Sequence, residues 1–123
     1  MPADLDPATL AAQRCVAADG STPPLSPDEV SRLSAGLDAT WQVLDDRLVR
    51  EFAFATFAAA FGLATRIAFL AEGQNHHPAI EVAWGRLIVT WTTDAIGGLS
   101  ANDLIMAAKV DRMVARGLGL KDA

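Results

Sequence analysis

The stretch AIEVAWGRLIVTWTTD, residues 79–94, decides the fold. It is dense in β-branched and aromatic residues, and Gly85-Arg86 interrupts it. It reads as two strands, Ile80–Trp84 and Leu87–Thr93, joined by a tight turn. Strands joined by so short a connection pair antiparallel. Upstream, TWQVLDDRLVREFAF (40–54) repeats the plan, with Asp45-Asp46 as the turn. Alternation in its second half puts Leu48, Arg50, Phe52 and Phe54 on one side and Val49, Glu51 and Ala53 on the other.

Between these hairpins the period changes. In FATFAAAFGLATRIAFLAEG (54–73), Phe57, Phe61, Ala64, Ala68 and Ala71 recur at helical spacing. This predicts a helix from about Ala55 to Glu72, stopped at Gly73, with its Phe stripe in the core. Ser26, Pro27 and Glu29 form a helix-start signature for a short helix over Pro27–Gly36, with Val30, Leu33 and Leu37 on one face. After Gly97-Gly98, Ser100 is an N-cap with Asp103 three residues on. The helix that follows carries Met106, Val110, Met113 and Val114 and ends at Gly117 and Gly119. The order helix, hairpin, long helix, hairpin, helix predicts an α+β fold, a four-stranded antiparallel sheet with three helices packed on one face. Residues 1–24 read as a loosely ordered N-terminal arm, 25–119 as the domain and 120–123 as a tail.

Composition sets bounds on function. The chain has 123 residues, 51% of them hydrophobic and 20% charged, which is a globular balance for one domain. A net charge of −5 and the absence of a Lys/Arg cluster argue against direct nucleic-acid binding and against an anionic membrane surface. The single cysteine, Cys15, forms no intrachain disulfide and fits a reducing compartment. The start MPADLDPATLAAQRC lacks the features of a secretory signal. The most apolar run, Phe52–Thr65, falls short of the roughly 20 residues of a membrane span. These features predict a cytoplasmic protein.

The only two histidines are adjacent, in AEGQNHHPAIEVAW (71–84). Neighbouring side chains on extended chain point apart, so a metal site shared by His76 and His77 is disfavoured. With Asp94 they would supply the ligand types of a 2-His-1-carboxylate iron site, but at poor spacing. Imidazoles titrate near neutrality and both give and take protons, which suits acid–base chemistry. Pro78 restricts His77 and so helps to aim it. Two solvated imidazoles in a polar loop after a helix are the plain alternative.

The motifs taken together resemble the pterin-4a-carbinolamine dehydratase family, also known as dimerisation cofactors of a homeodomain transcription factor. The resemblance runs from about Leu25 to Val114 and includes LSPDEV, Trp41, REFAFATFAAAF, RIAFLAE, HHP with Glu72 four residues before His76, Trp84, Thr92-Thr93 and GLSANDLIMAAKVD. It implies loss of water from a 4a-hydroxy-tetrahydropterin to give the quinonoid dihydropterin, without metal or cofactor, in a homodimer or homotetramer. His76 and His77 match the family's adjacent active-site histidines, and His76 is the favoured proton-transfer group. Glu72, Pro78, Trp84, Thr92 and Thr93 match positions around the pterin. Asp103 reads equally well as a helix cap. The family's third histidine is Asp94 here, which joins the imidazoles as the third expected catalytic group. The resemblance also implies an alternative: one branch of the family acts as a RuBisCO assembly factor in α-carboxysomes, a binding role on the same scaffold. Ala58, Ala59, Ala60 and Ala64 would then line a subunit or partner contact.

Overall fold

A computed structural model of the chain describes residues 5–117. The expected helix end at Gly119 and the tail at 120–123 lie outside those residues. Three α-helices and four strands alternate as α1 (Pro27–Ser34), β1 (Gln42–Leu44), β2 (Arg47–Ala53), α2 (Phe57–Gln74), β3 (Ala79–Ala83), β4 (Arg86–Trp91) and α3 (Ala101–Ala115). The strands form one antiparallel sheet in the order β1-β2-β4-β3. The two hairpins therefore join through β2 and β4 at the centre, and the fold is the predicted α+β sandwich.

Register explains which face is covered. Leu48 pairs with Trp91, Arg50 with Val89 and Phe52 with Leu87, and all six side chains are buried. The alternating residues Glu51 and Ala53 are exposed on the open face. α2 packs on β3 and β4 and α3 packs on β4, while α1 joins that layer through α3. α3 is buried without interruption from Asn102 to Val110, because α1 and the N-terminal segment cover the side turned away from the sheet. Burial of each large aliphatic side chain in this layer contributes about 1.5–3 kcal/mol.

Several expectations need correction. The Phe stripe of α2 faces outward: Phe57 and Phe61 are exposed and Phe69 is 75% exposed. Ala60, Leu63, Ala64, Ile67 and Ala71 form the buried face. Every face of this helix is apolar, so periodicity alone did not single out the one that meets the sheet. The helix also runs through Gly73. It stops at Gln74, and the next residue, Asn75, adopts the left-handed conformation at φ +54°. Asn tolerates that region because its short polar side chain bonds locally. The second hairpin turns at Trp84-Gly85, one residue early, since Gly85 supplies the positive φ of +73°.

The N-terminal segment is structured from Pro7 to Ala12 as a 3-10 helix capped by Asp6, and Leu10 is buried against the core. Lys109 Nζ donates to Ala11 O at 2.9 Å and Arg32 Nη1 to Leu5 O at 2.7 Å. Gly36 admits the close approach: a Cβ there would sit 2.0 Å from Pro7 O. The expectation of a loose arm took its Ala/Asp-rich composition at face value. Leu10 and the carbonyls of Leu5 and Ala11 give the segment enough contacts to seat it.

Candidate active site

Local folding rules place His76. The end of α2 carries a paired cap: Asn75 N–H donates to Glu72 O at 3.4 Å and His76 N–H to Ala71 O at 3.2 Å. This is the arrangement of a helix closed by one left-handed residue, and it fixes the His76 backbone to the helix end. The imidazole is mostly buried and stacks nearly parallel to Trp91, with centroids 5.8 Å apart and a 14° tilt.

A second loop brings a carboxylate to meet it. After β4, Thr93 N–H donates to Gly98 O at 3.1 Å, and this bridge folds residues 93–98 back on themselves. α3 then starts beside the sheet end, with Asp103 in its first turn and fully buried. Asp103 Oδ1 lies 2.6 Å from His76 Nε2, while Oδ2 accepts from Thr93 Oγ1 at 2.7 Å and from Ser100 N–H at 2.9 Å. Asp103 thus caps the helix with one oxygen and holds the imidazole with the other. When His76 donates Nε2–H to that carboxylate, Nδ1 is left as a proton acceptor.

His77 forms a second pair. Its Nε2 lies 2.5 Å from Glu72 Oε2, one helical turn back on α2, and both groups are exposed. Both imidazoles line a cavity of about 500 Å³ together with Thr92, Thr93, Asp94, Ala95, Gln74, Asn75 and Asn102. Residues 15–18 of the N-terminal segment close one side of it. A cavity of about 530 Å³ between α1 and the first hairpin, lined by Val30, Val43, Asp45 and Asp46 among others, contains no imidazole.

The expected site residues divide accordingly. His76, His77, Thr92, Thr93 and Asp94 share the cavity. Glu72 joins through its bond to His77, and Pro78 follows directly into β3. Thr92 is tied to the first hairpin by its hydroxyl, which donates to Asp46 O at 2.8 Å. Asp94 is exposed, and among the described residues its carboxylate bonds to neither imidazole. Trp84 does not line the cavity. It is 77% exposed in the turn beyond β3, about 20 Å of extended strand from Pro78. Asp103, which reads equally well as a helix cap, does both: it caps α3 and bonds His76. Among the described residues no three His, Cys, Asp or Glu side chains gather as a metal site, and no helix is long and apolar enough to cross a membrane.

Fold and site together define an α+β protein whose cavity carries two imidazole–carboxylate pairs. The family model for pterin 4 alpha carbinolamine dehydratase matches residues 23–113, and the chain belongs to that family. A curated protein of Rubrobacter xylanophilus is 44% identical over 105 residues, covering 85% of this chain and 97% of its own length. One of Chlorobaculum tepidum is 39% identical over 106 residues, covering 83% of this chain and 95% of its own. Both bear the name "Putative pterin-4-alpha-carbinolamine dehydratase". The crystal structure of a transcriptional coactivator/pterin dehydratase from Brucella melitensis superposes at a TM-score of 0.68 and 33% identity, over 73% of this chain and 97% of that one. A pterin dehydratase-like RuBisCO assembly factor of the alpha-carboxysome is a more distant likeness, at 24% identity and a TM-score of 0.49, which says nothing of this chain's activity.

Proposed function

We propose that the protein is a 4a-hydroxy-tetrahydropterin dehydratase that works by acid–base elimination of water, with no metal in the step. The observation that carries this reading is the pair of neighbouring imidazoles, each held by its own carboxylate, on one cavity wide enough for a bicyclic ring. In the reaction the ring nitrogen gives up its proton, a C=N bond forms to C4a, and the C4a–O bond breaks. The hydroxyl takes a proton as it leaves, so the departing group is water.

The two imidazoles suit different halves of that step. Asp103 orients His76 and stabilises the imidazolium formed when Nδ1 takes the ring-nitrogen proton. His77, more exposed and paired with Glu72, protonates the leaving hydroxyl and exchanges its proton with solvent. Thr92 and Thr93 line the cavity with their hydroxyl protons already donated to Asp46 O and Asp103, so toward the ring their oxygens can only accept. Asp94 stands where the family carries a third histidine, and with two proton carriers present it serves at the rim as a polar contact.

Decay of a 4a-hydroxy-tetrahydropterin, followed with and without protein, tests the assignment. Wild type should accelerate it, while a wild type no faster than buffer removes the enzymatic reading. Asp94→His should alter kcat by less than about tenfold, because acid and base are already supplied. A gain above about 100-fold would show that the site lacks its acid and would overturn the division of labour between His76 and His77.

The same reading includes self-association. Phe57 and Phe61 pack ring to ring at 5.9 Å on the outer face of α2, and with Phe69 they form an exposed aromatic stripe. Such a stripe supports a homodimer or homotetramer built on α2.

A further inference from the structure

The N-terminal segment does more than cover α3. At residues 15–18 it leaves the helix layer and becomes one wall of the histidine cavity. Cys15 N–H donates to Gln74 Oε1 at 2.9 Å. Val16 exchanges two bonds with one side chain: its N–H donates to Asn102 Oδ1 at 3.0 Å, and its carbonyl accepts from Asn102 Nδ2 at 2.6 Å. The Asn102 amide thus pairs with the strap as a neighbouring strand would. Both anchors stand beside the proton-transfer machinery, Gln74 two residues before His76 and Asn102 next to Asp103.

Beyond Cys15, which packs against the core, packing contributes little to this wall. Its far side, at residues 16–18, faces a second cavity of about 350 Å³, lined also by Leu5, Leu25 and Ile105. Residues 16–18 are therefore a partition with open space on both sides, pinned by amide hydrogen bonds. The side chains of the wall are also distinctive. The rest of the cavity lining is imidazole, hydroxyl, carboxylate and carboxamide, apart from Ala95. Val16 is its one aliphatic side chain larger than alanine, and it is 72% exposed. A polar ring edge is matched by the histidine and threonine side, and the strap offers an apolar surface to whatever projects from the ring.

We infer that residues 15–18 form a specificity strap, in which Val16 contacts the substituent carried by the pterin ring and sets which substituents the cavity accepts. This rests on the dehydratase reading above. The strap precedes the segment 23–113 that defines the family domain. Val16 is a positioning residue here and takes no part in proton transfer.

The test compares two 4a-hydroxy-tetrahydropterins, one unsubstituted at C6 and one bearing a short hydroxyalkyl chain there, on wild type, Val16→Ala and Val16→Phe. Val16 is too exposed for either change to threaten folding. Val16→Ala should raise KM for the chain-bearing substrate about fivefold, the loss of roughly one methylene's worth of contact, with little change for the unsubstituted one. Val16→Phe should discriminate more strongly against the chain, again in KM rather than kcat. Addition of a stable dihydropterin with the same chain should slow hydrogen exchange at the Cys15 and Val16 amides. If wild type turns over both substrates and the variants shift both equally or neither, the strap inference fails and the dehydratase reading stands. If wild type neither accelerates decay nor binds either pterin, the dehydratase reading fails and takes this inference with it.

Discussion

His76 and Asp103 show how an imidazole–carboxylate pair arises from two ordinary helix ends. The left-handed cap at Asn75 sets the imidazole at the close of α2, and the first turn of α3 brings the carboxylate to it. Replacing His76 with Gln keeps a polar side chain of similar reach but removes the titratable nitrogen. Activity toward a 4a-hydroxy-tetrahydropterin should fall by about 100-fold or more while the thermal midpoint moves little. Asp103→Asn should also lower kcat and distort the pH–rate profile, since an amide no longer stabilises an imidazolium. An unchanged profile would reduce Asp103 to a cap. The histidine half of this pair was legible in the sequence only with the family resemblance beside it, because two adjacent imidazoles ahead of a proline fit a solvated polar loop equally well. The carboxylate half was not. An acidic residue three positions after a helix-starting Ser is a standard cap, and only the Thr93–Gly98 bridge, a feature of the folded loop, reveals that its second oxygen reaches His76.

Elements differ in how much of their packing the chain announces. A strand offers two faces, and the alternation divides β2 correctly between them: Leu48, Arg50, Phe52 and Phe54 share a side, which the structure buries. α2 offers apolar side chains all round, and its aromatic face proved to be the outer one. That outward face makes a prediction of its own: Phe61→Glu should leave folding intact and shift the protein to smaller species in sedimentation velocity. An unchanged distribution would free the stripe from any role in self-association. The seating of the N-terminal segment is hidden for another reason, since its partners on α3 lie far away in sequence. Its seating can be read at Cys15. Burial pushes that thiol from the usual 9.0 up to about 11, because the thiolate is harder to solvate there. At pH 8 the thiolate fraction is then about 100-fold below that of an ordinary cysteine, and alkylation should be slowed accordingly. The neutral form is favoured by the folded state, so this contribution to stability is complete below pH 9 and is lost as pH climbs through 11. Gly36→Ala drives a methyl into the Pro7 backbone and should unseat the segment. Alkylation at pH 8 should then accelerate toward the rate of the unfolded chain, and a rate equal to wild type would mean that Gly36 is not what lets the segment seat.

At the scale of the whole molecule, one polar node joins parts of the chain that the hydrophobic layer alone leaves unregistered. Arg50 on β2 points into the covered face, and its Nη1 meets Asp111 Oδ1 of α3 at 2.7 Å. Trp41 Nε1 donates to the same oxygen at 2.7 Å, and Asp38 N–H donates to the other at 2.8 Å. The guanidinium also lies over the Phe52 ring, 4.3 Å from its centroid. Sheet, last helix and the approach to β1 are thereby fixed to one another. Burial nevertheless pushes the Asp111 carboxyl above its ordinary range, and it outweighs the opposing pull of Asp38 N–H, Trp41 Nε1–H and Arg50. Burial and the node's attractions thus act in opposite directions on this carboxyl, and what the node supplies is the relative placement of sheet, α3 and the approach to β1. Removing one member and removing both should then have opposite consequences. Asp111→Ala strands a buried guanidinium and should destabilise by about 3–5 kcal/mol in urea unfolding. The double variant Arg50→Leu with Asp111→Leu replaces the pair by apolar bulk and should recover most of that loss. Its pH dependence should differ as well. The wild-type carboxyl holds its proton to higher pH than the unfolded chain does, so its share of stability is complete below the unfolded pKa and is lost as pH rises through the folded one. The double variant lacks that decline. If Asp111→Ala instead costs less than about 1 kcal/mol, the guanidinium is reaching solvent, and the sheet and α3 are held in register by apolar packing alone.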